Sequence, residues 1–144
     1  MIHLVVDASV AIKWLPPFQQ EPLASEADKL LDRWEQGTVE LIAPDLIWTE
    51  IANAHWRAVR RNKCSSGDAQ ASLAIMHEQE LPTVPSEPLI DLALRIALQH
   101  DRTAYDSLYV ALAVTLKSEL VTADEKLVNA LSGYFPVTWL GVVV

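Results

Sequence analysis

His3-Leu4-Val5-Val6-Asp7-Ala8-Ser9-Val10-Ala11-Ile12-Lys13-Trp14-Leu15-Pro16-Pro17 decides the fold class of this chain. The first four residues are apolar, β-prone and few, the pattern of a short buried strand. The run breaks at Asp7. Ala8 to Leu15 then reads as helix, and Pro16-Pro17 stops it because proline can neither donate nor fit in a helix interior. The same passage from strand to helix recurs along the chain. Pro22 to Glu35 is amphipathic, with Leu23, Ala27, Leu30, Leu31 and Trp34 on one side and Gly37 closing it. Val39 to Ala43 reads as a second strand. A long helix follows from Pro44 or Asp45 to about Asn62, and another from Ser66 to about Glu80. Val84 suits a short strand and Glu87 to His100 a helix. Thr103 is a plausible N-cap for a helix over Ala104 to Lys117. Leu120 to Thr122 and Val137 to Leu140 read as strands on either side of a helix from Asp124 to Leu131. Strands separated by one or two helices require right-handed crossovers and a mainly parallel sheet. The expectation is an α/β protein, a three-layer α/β/α sandwich, in which residues 1–144 form a single domain.

Composition narrows the class. Of the 144 residues, 51% are hydrophobic, enough for a substantial core. No apolar run approaches the ~20 residues that a membrane-spanning helix needs. Met1 to Val6 leads straight into Asp7 without a basic start or a small-residue cleavage site, so no secretory signal is expected. Cys64 is the only cysteine and can form neither an internal disulfide nor a cysteine-based zinc site, which fits a reducing cytoplasm. The net charge of -8 opposes non-specific binding of nucleic acid. A chain of this composition that bound nucleic acid would need a local basic patch or metal ions that neutralise part of the acid.

Four carboxylates stand out. Asp7 follows one apolar strand directly, and Asp124 lies just past another. In open parallel sheets, ligands bind outside the carboxyl ends of the strands. Taken alone, each of the two reads better as a helix cap. Asp106 lies in Ala104-Tyr-Asp-Ser-Leu-Tyr-Val-Ala-Leu-Ala-Val-Thr-Leu116, which is apolar nearly all round and therefore a buried helix. A carboxylate there is costly unless paired or bound to a cation, although a first-turn acid behind Thr103 explains it equally well. Glu50 sits among apolar neighbours with Asn53 on the same helical face. Four converging acids would repel one another and raise one another's pKa. A divalent cation removes that conflict, and all-oxygen ligands suit Mg²⁺ or Mn²⁺ better than zinc. Such an ion lowers the pKa of water and stabilises charge on a phosphate, which is the need of phosphodiester hydrolysis.

Four segments carry a resemblance: Val5-Val6-Asp7-Ala8-Ser9-Val10-Ala11, Pro44-Asp45-Leu46-Ile47-Trp48-Thr49-Glu50-Ile51-Ala52-Asn53, Tyr105-Asp106-Ser107-Leu108-Tyr109-Val110-Ala111-Leu112-Ala113 and Leu120-Val121-Thr122-Ala123-Asp124. In order and spacing they resemble the four motifs of PIN-domain proteins, and more narrowly those of the VapC toxins of toxin–antitoxin pairs. The resemblance implies a parallel-sheet α/β/α fold and Mg²⁺- or Mn²⁺-dependent endoribonuclease activity. It also implies homodimers and inhibition by a VapB-like antitoxin. By motif position Asp7, Glu50, Asp106 and Asp124 would form the acidic quartet, with Asp7 and Asp106 as direct metal ligands. Ser9, Asn53 and Thr122 match polar supporting positions that orient acids or water. Asp101-Arg102 departs from the pattern by adding one charge of each sign.

Candidate substrate contacts come from the basic residues. Arg57, Arg60, Arg61 and Lys63 form one cluster, and the three arginines are expected to share a helical face near Trp56, where they could follow RNA phosphates. Favourable charge at a helix C-terminus explains them at least as well. Lys13 and Arg102 are further candidates, Arg102 with Asp101 as an alternative partner. Trp14 and Trp48 are expected to wall the site. No histidine pair has zinc-protease spacing, and no Gly-rich phosphate loop or serine elbow occurs. Two other functions fit the acids: a catalytically silent module that docks a basic partner, and a nuclease for RNA processing or DNA.

Overall fold

The computed structural model describes residues 2–143. Five strands form one sheet in the order β3-β2-β1-β4-β5: β1 (Ile2–Val6), β2 (Val39–Pro44), β3 (Thr83–Val84), β4 (Glu119–Thr122) and β5 (Val137–Trp139). Every neighbouring pair is parallel. Seven α-helices connect the strands: α1 (Ala8–Ala11), α2 (Ala24–Glu35), α3 (Leu46–Arg60), α4 (Ser66–Glu78), α5 (Ile90–His100), α6 (Ala104–Leu116) and α7 (Glu125–Leu131). The chain steps from β1 to β2 to β3 in one direction, then crosses back to β4 and continues to β5. Right-handed connections therefore put α1 to α4 on one face and α5 to α7 on the other. The expected three layers are present.

The core explains which segments read clearly as apolar runs. Val5, Val6, Leu120 and Val121 are fully buried in the two central strands. Helix α6 lies across β1, β2 and β4, and Ser107 to Ala113 are all buried. The middle of the helix, flanked by the sheet on one side and α5 on the other, has no solvent face and so shows no amphipathic period.

Local chemistry sets the helix ends. The helix after Asp7 is α1 continued by a 3₁₀ turn over Ile12–Trp14. Leu15 is extended at φ −119° and ψ 142°, as a residue before proline must be. Helix α2 starts at Ala24, two residues later than the sequence suggests, because Leu23 takes a left-handed φ of 69°. It ends in a Schellman motif: the Gly37 N–H donates to the Trp34 carbonyl and the Thr38 N–H to the Arg33 carbonyl, with Gly37 at φ 76°. Thr103 caps α6 as expected, its Oγ1 accepting from the Asp106 N–H at 3.0 Å.

The strand order has one topological switch point. The connection from β1 departs towards β2, and that from β4 departs the opposite way towards β5. The carboxyl ends of β1 and β4 therefore border a crevice that no connection covers.

Candidate active site

Asp7 closes β1 and caps α1, with its backbone extended at φ −99° and ψ 175°. Its Oδ1 accepts from the Ser9 hydroxyl at 2.5 Å and from the Val10 N–H at 3.3 Å. The Ser9 hydroxyl proton is thus committed to Asp7, and its oxygen accepts from the Ala123 N–H at 3.0 Å. Thr122, buried at the end of β4, places its hydroxyl 3.3 Å from Ser9 Oγ and accepts from the Asp124 N–H at 3.1 Å. Two hydroxyls therefore bind the ends of β1 and β4 together directly across the switch point. Asp7 is only 7% exposed. Burial pushes its carboxyl up to about 6, against the opposing effect of its hydrogen bonds, and the charge of Glu50 adds to the rise.

The other three acids come from three further elements. Glu50 lies on α3, and its Oε1 accepts from the Tyr109 hydroxyl at 2.5 Å. Burial raises the Glu50 carboxyl, and the charge of Asp106 raises it further. Asp106, in the first turn of α6, stands 3.4 Å from the Arg102 guanidinium. Its carboxyl is also raised, by burial first and by Asp124 as well, with Arg102 opposing. Asp124 caps α7, its Oδ1 accepting from the N–H groups of Lys126 and Leu127 at 3.0 and 3.3 Å. Each acid thus feels the next: Asp7 and Glu50, Glu50 and Asp106, Asp106 and Asp124.

The donor set fits a hard divalent cation. It is all carboxylate oxygen, partly withdrawn from water, and mutually repulsive without a counter-charge. As the side chains lie, each carboxylate is turned to a local partner. Among the described residues no three acid, histidine or cysteine side chains converge closely enough to ligate one ion together.

Tyr109 is a site residue that the motifs did not single out. Its hydroxyl grips Glu50, and burial together with that carboxylate raises its pKa, which keeps it a proton donor. The available signal was its place three residues after Asp106, a hydroxyl carried into an otherwise apolar helix.

A groove of about 560 Å³ runs past Glu50, lined by Ser9, Thr49, Asn53, Arg57 and Tyr105 among others. Asn53 shares the face of Glu50, and Arg57 moderates the Glu50 charge. The remaining basic residues are distributed differently. Lys13 is buried, its Nζ donating to Glu21 at 3.1 Å. Arg60 lies one helical turn from Arg57, and its guanidinium is drawn over the Trp56 ring, 5.5 Å from the centroid. Arg61 lines an adjoining groove with Lys63. Arg102 takes Asp106 as partner and leaves Asp101 aside. The tryptophans do not wall the site. Trp14 is in the core, stacked on Trp34 and donating to the Ala27 carbonyl at 2.9 Å. Trp48 stacks on His77 of α4.

The chain is similar to known proteins along most of its length. A curated relative, ribonuclease VapC3 of Pyrobaculum aerophilum, is 32% identical over 129 residues, covering 88% of this chain and 92% of its own length. The crystal structure of PAE2754 from the same organism superposes with a TM-score of 0.70 at 24% identity, covering 99% of this chain and 93% of that one. VapBC2 from Rickettsia felis, solved with a DNA fragment of its promoter, matches with a TM-score of 0.66 at 12% identity over 96% and 98% of the two chains. The family model for the PIN domain matches residues 4–130. With the family model, the sequence identity and the shared fold in agreement, this chain belongs to the PIN domain family.

Proposed function

We propose that this chain is an endoribonuclease that hydrolyses RNA phosphodiester bonds with Mg²⁺ or Mn²⁺, and that it is the toxin of a VapBC-type pair. The observation that carries the reading is the chain of electrostatic coupling among acids from four separate elements: Glu50 acts on Asp7, Asp106 on Glu50 and Asp124 on Asp106. The ribonuclease name of the Pyrobaculum relative supports RNA as substrate. The VapBC2 neighbour supports a VapB-like antitoxin as partner, and the family resemblance implies a homodimer. Among the described residues no helix is long and apolar enough to cross a membrane.

A divalent ion held here would neutralise the acids, stabilise charge on the phosphate and lower the pKa of a nucleophilic water. The protein's own groups do the rest. Asp7 and Asp106 would hold the ion directly, and Glu50 and Asp124 would complete the set. Ser9 and Thr122 hold Asp7 and the backbone of Asp124 in fixed relation. Tyr109 occupies Glu50 Oε1, which leaves Oε2 to accept a proton from water in the groove. Asn53 lies one helical turn from Glu50 on the wall that substrate must pass.

Cleavage of a panel of structured RNAs tests this reading. The purified protein is expected to cut with Mg²⁺ or Mn²⁺ and to stop when EDTA is added. Asp106→Asn is expected to lower the rate at least a hundredfold with the fold intact. Full activity in Asp106→Asn would remove the acids from the mechanism.

A further inference from the structure

The cations near the acids divide into two groups. Lys13 is taken by Glu21 and Arg102 by Asp106. Arg57, Arg61 and Lys63 have no ion-pair partner among the described residues, in a chain with 19 acids and 11 lysines and arginines. These three cations without ion-pair partners line a single groove. Glu21 is the one acid that borders it, and its Oε1 already accepts from Lys13.

This groove is continuous with the carboxylate groove, because Ile12, Ala54 and Arg57 line both. At a rise of about 1.5 Å per helical residue, Arg57 stands roughly 10 Å beyond Glu50 along α3 and Arg61 roughly 16 Å beyond. A strand that leaves the acids along α3 meets the cations in sequence. The floor between them is apolar, formed by Ile12, Ala54 and Ala58, and offers no donors or acceptors for base edges. Exposed, flexible cations over such a floor suit a repeating backbone charge and leave the bases unread.

We propose that the Arg57–Arg61–Lys63 groove binds the phosphate backbone of single-stranded RNA flanking the cleaved bond. The groove supplies the local positive charge that a chain of net charge -8 otherwise lacks. This inference rests on the nuclease reading and extends it to the direction in which substrate leaves the site.

The test measures binding of a labelled 12-nucleotide single-stranded RNA by fluorescence anisotropy across a salt series. It is made in Mg²⁺ and in an Asp7→Asn background, so that the RNA stays uncut. The Arg61→Ala/Lys63→Ala variant is expected to bind about tenfold more weakly at low salt. Its slope of log affinity against log salt should fall by about 1.4, at ~0.7 for each phosphate that is no longer neutralised. The charge-matched control Lys29→Ala/Arg95→Ala changes two exposed residues elsewhere and should bind like its parent. Equal loss in both double variants, or an unchanged slope, overturns the proposal. So does a loss confined to a polyglutamate peptide, which would make the groove a protein-docking surface. If the chain with Asp7 intact cuts RNA and the groove variant binds as its parent does, the path alone fails. If that chain neither cuts nor binds RNA, both readings fail.

Discussion

Asp7 carries the sharpest conflict between folding and function. Burial lifts its carboxyl from an ordinary value near 3.8 to about 6. The neutral form is therefore the better-folded one. Its contribution to stability is complete below about 3.8 and is lost as pH rises through about 6. At pH 7.5 the ionised group costs about 3 kcal/mol, at ~1.4 kcal/mol per unit. Both hydrogen bonds to Asp7 end on Oδ1, so an amide oxygen can keep them. Asp7→Asn should thus stabilise the metal-free protein by about 1–3 kcal/mol in denaturant unfolding at pH 7.5, while abolishing cleavage. Loss of stability would mean that Asp7 is held for structure. Tyr109 acts in the opposite sense, because its hydrogen bond lowers the Glu50 carboxyl. Tyr109→Phe should raise the Glu50 pKa and move the acidic limb of the pH profile of kcat/KM to higher pH. A general packing defect would lower the rate without moving that limb.

At the scale of elements, the site depends on where helices begin. Asp106 occupies the first turn of α6 because Thr103 caps that turn through the Asp106 N–H at 3.0 Å. Thr103→Ala should cost about 1 kcal/mol of stability in thermal or chemical unfolding. Because the same N–H belongs to a metal-ligand candidate, Mn²⁺ affinity should fall with it. Thr103→Ser, which can keep the bond, should restore both. Much of this level was readable beforehand. The strand before Asp7, the cap of α6 and the apolar run that buries α6 follow from local composition and show as such. Pairings that cross between elements were not readable. Lys13 reaches Glu21 because the chain turns back after Leu15, and no periodic pattern encodes that reach. Arg102 could have paired with either neighbour in the sequence. Asp101 ends α5 at a left-handed φ of 54°, and Arg102 instead pairs with the acid four residues on. Arg60 lies about 60° to one side of Arg57 and Arg61 about 40° to the other, at about 100° per residue, so Arg60 is the one that meets Trp56.

At the scale of the whole molecule, the strand order decides where the acids meet. Sequence alone placed Asp7 and Asp124 at strand ends, but their meeting depends on β1 and β4 being neighbours, which only the sheet order fixes. The two ends are then joined by Ser9, whose hydroxyl donates to Asp7 and accepts from the Ala123 N–H. Acids from four elements, coupled in sequence by their charges, are proposed to share one cation here. Burial and mutual repulsion raise three of them, so a cation must displace protons and its binding must strengthen as pH rises. Calorimetric titration with Mn²⁺ at pH 5 and pH 7.5 tests this most directly. The protein should bind Mn²⁺ at a saturable site, at least tenfold tighter at the higher pH, and Asp7→Asn and Asp106→Asn should each abolish that site. Equal affinity at both pH values, with binding retained in both variants, would contradict a metal centre built from these carboxylates.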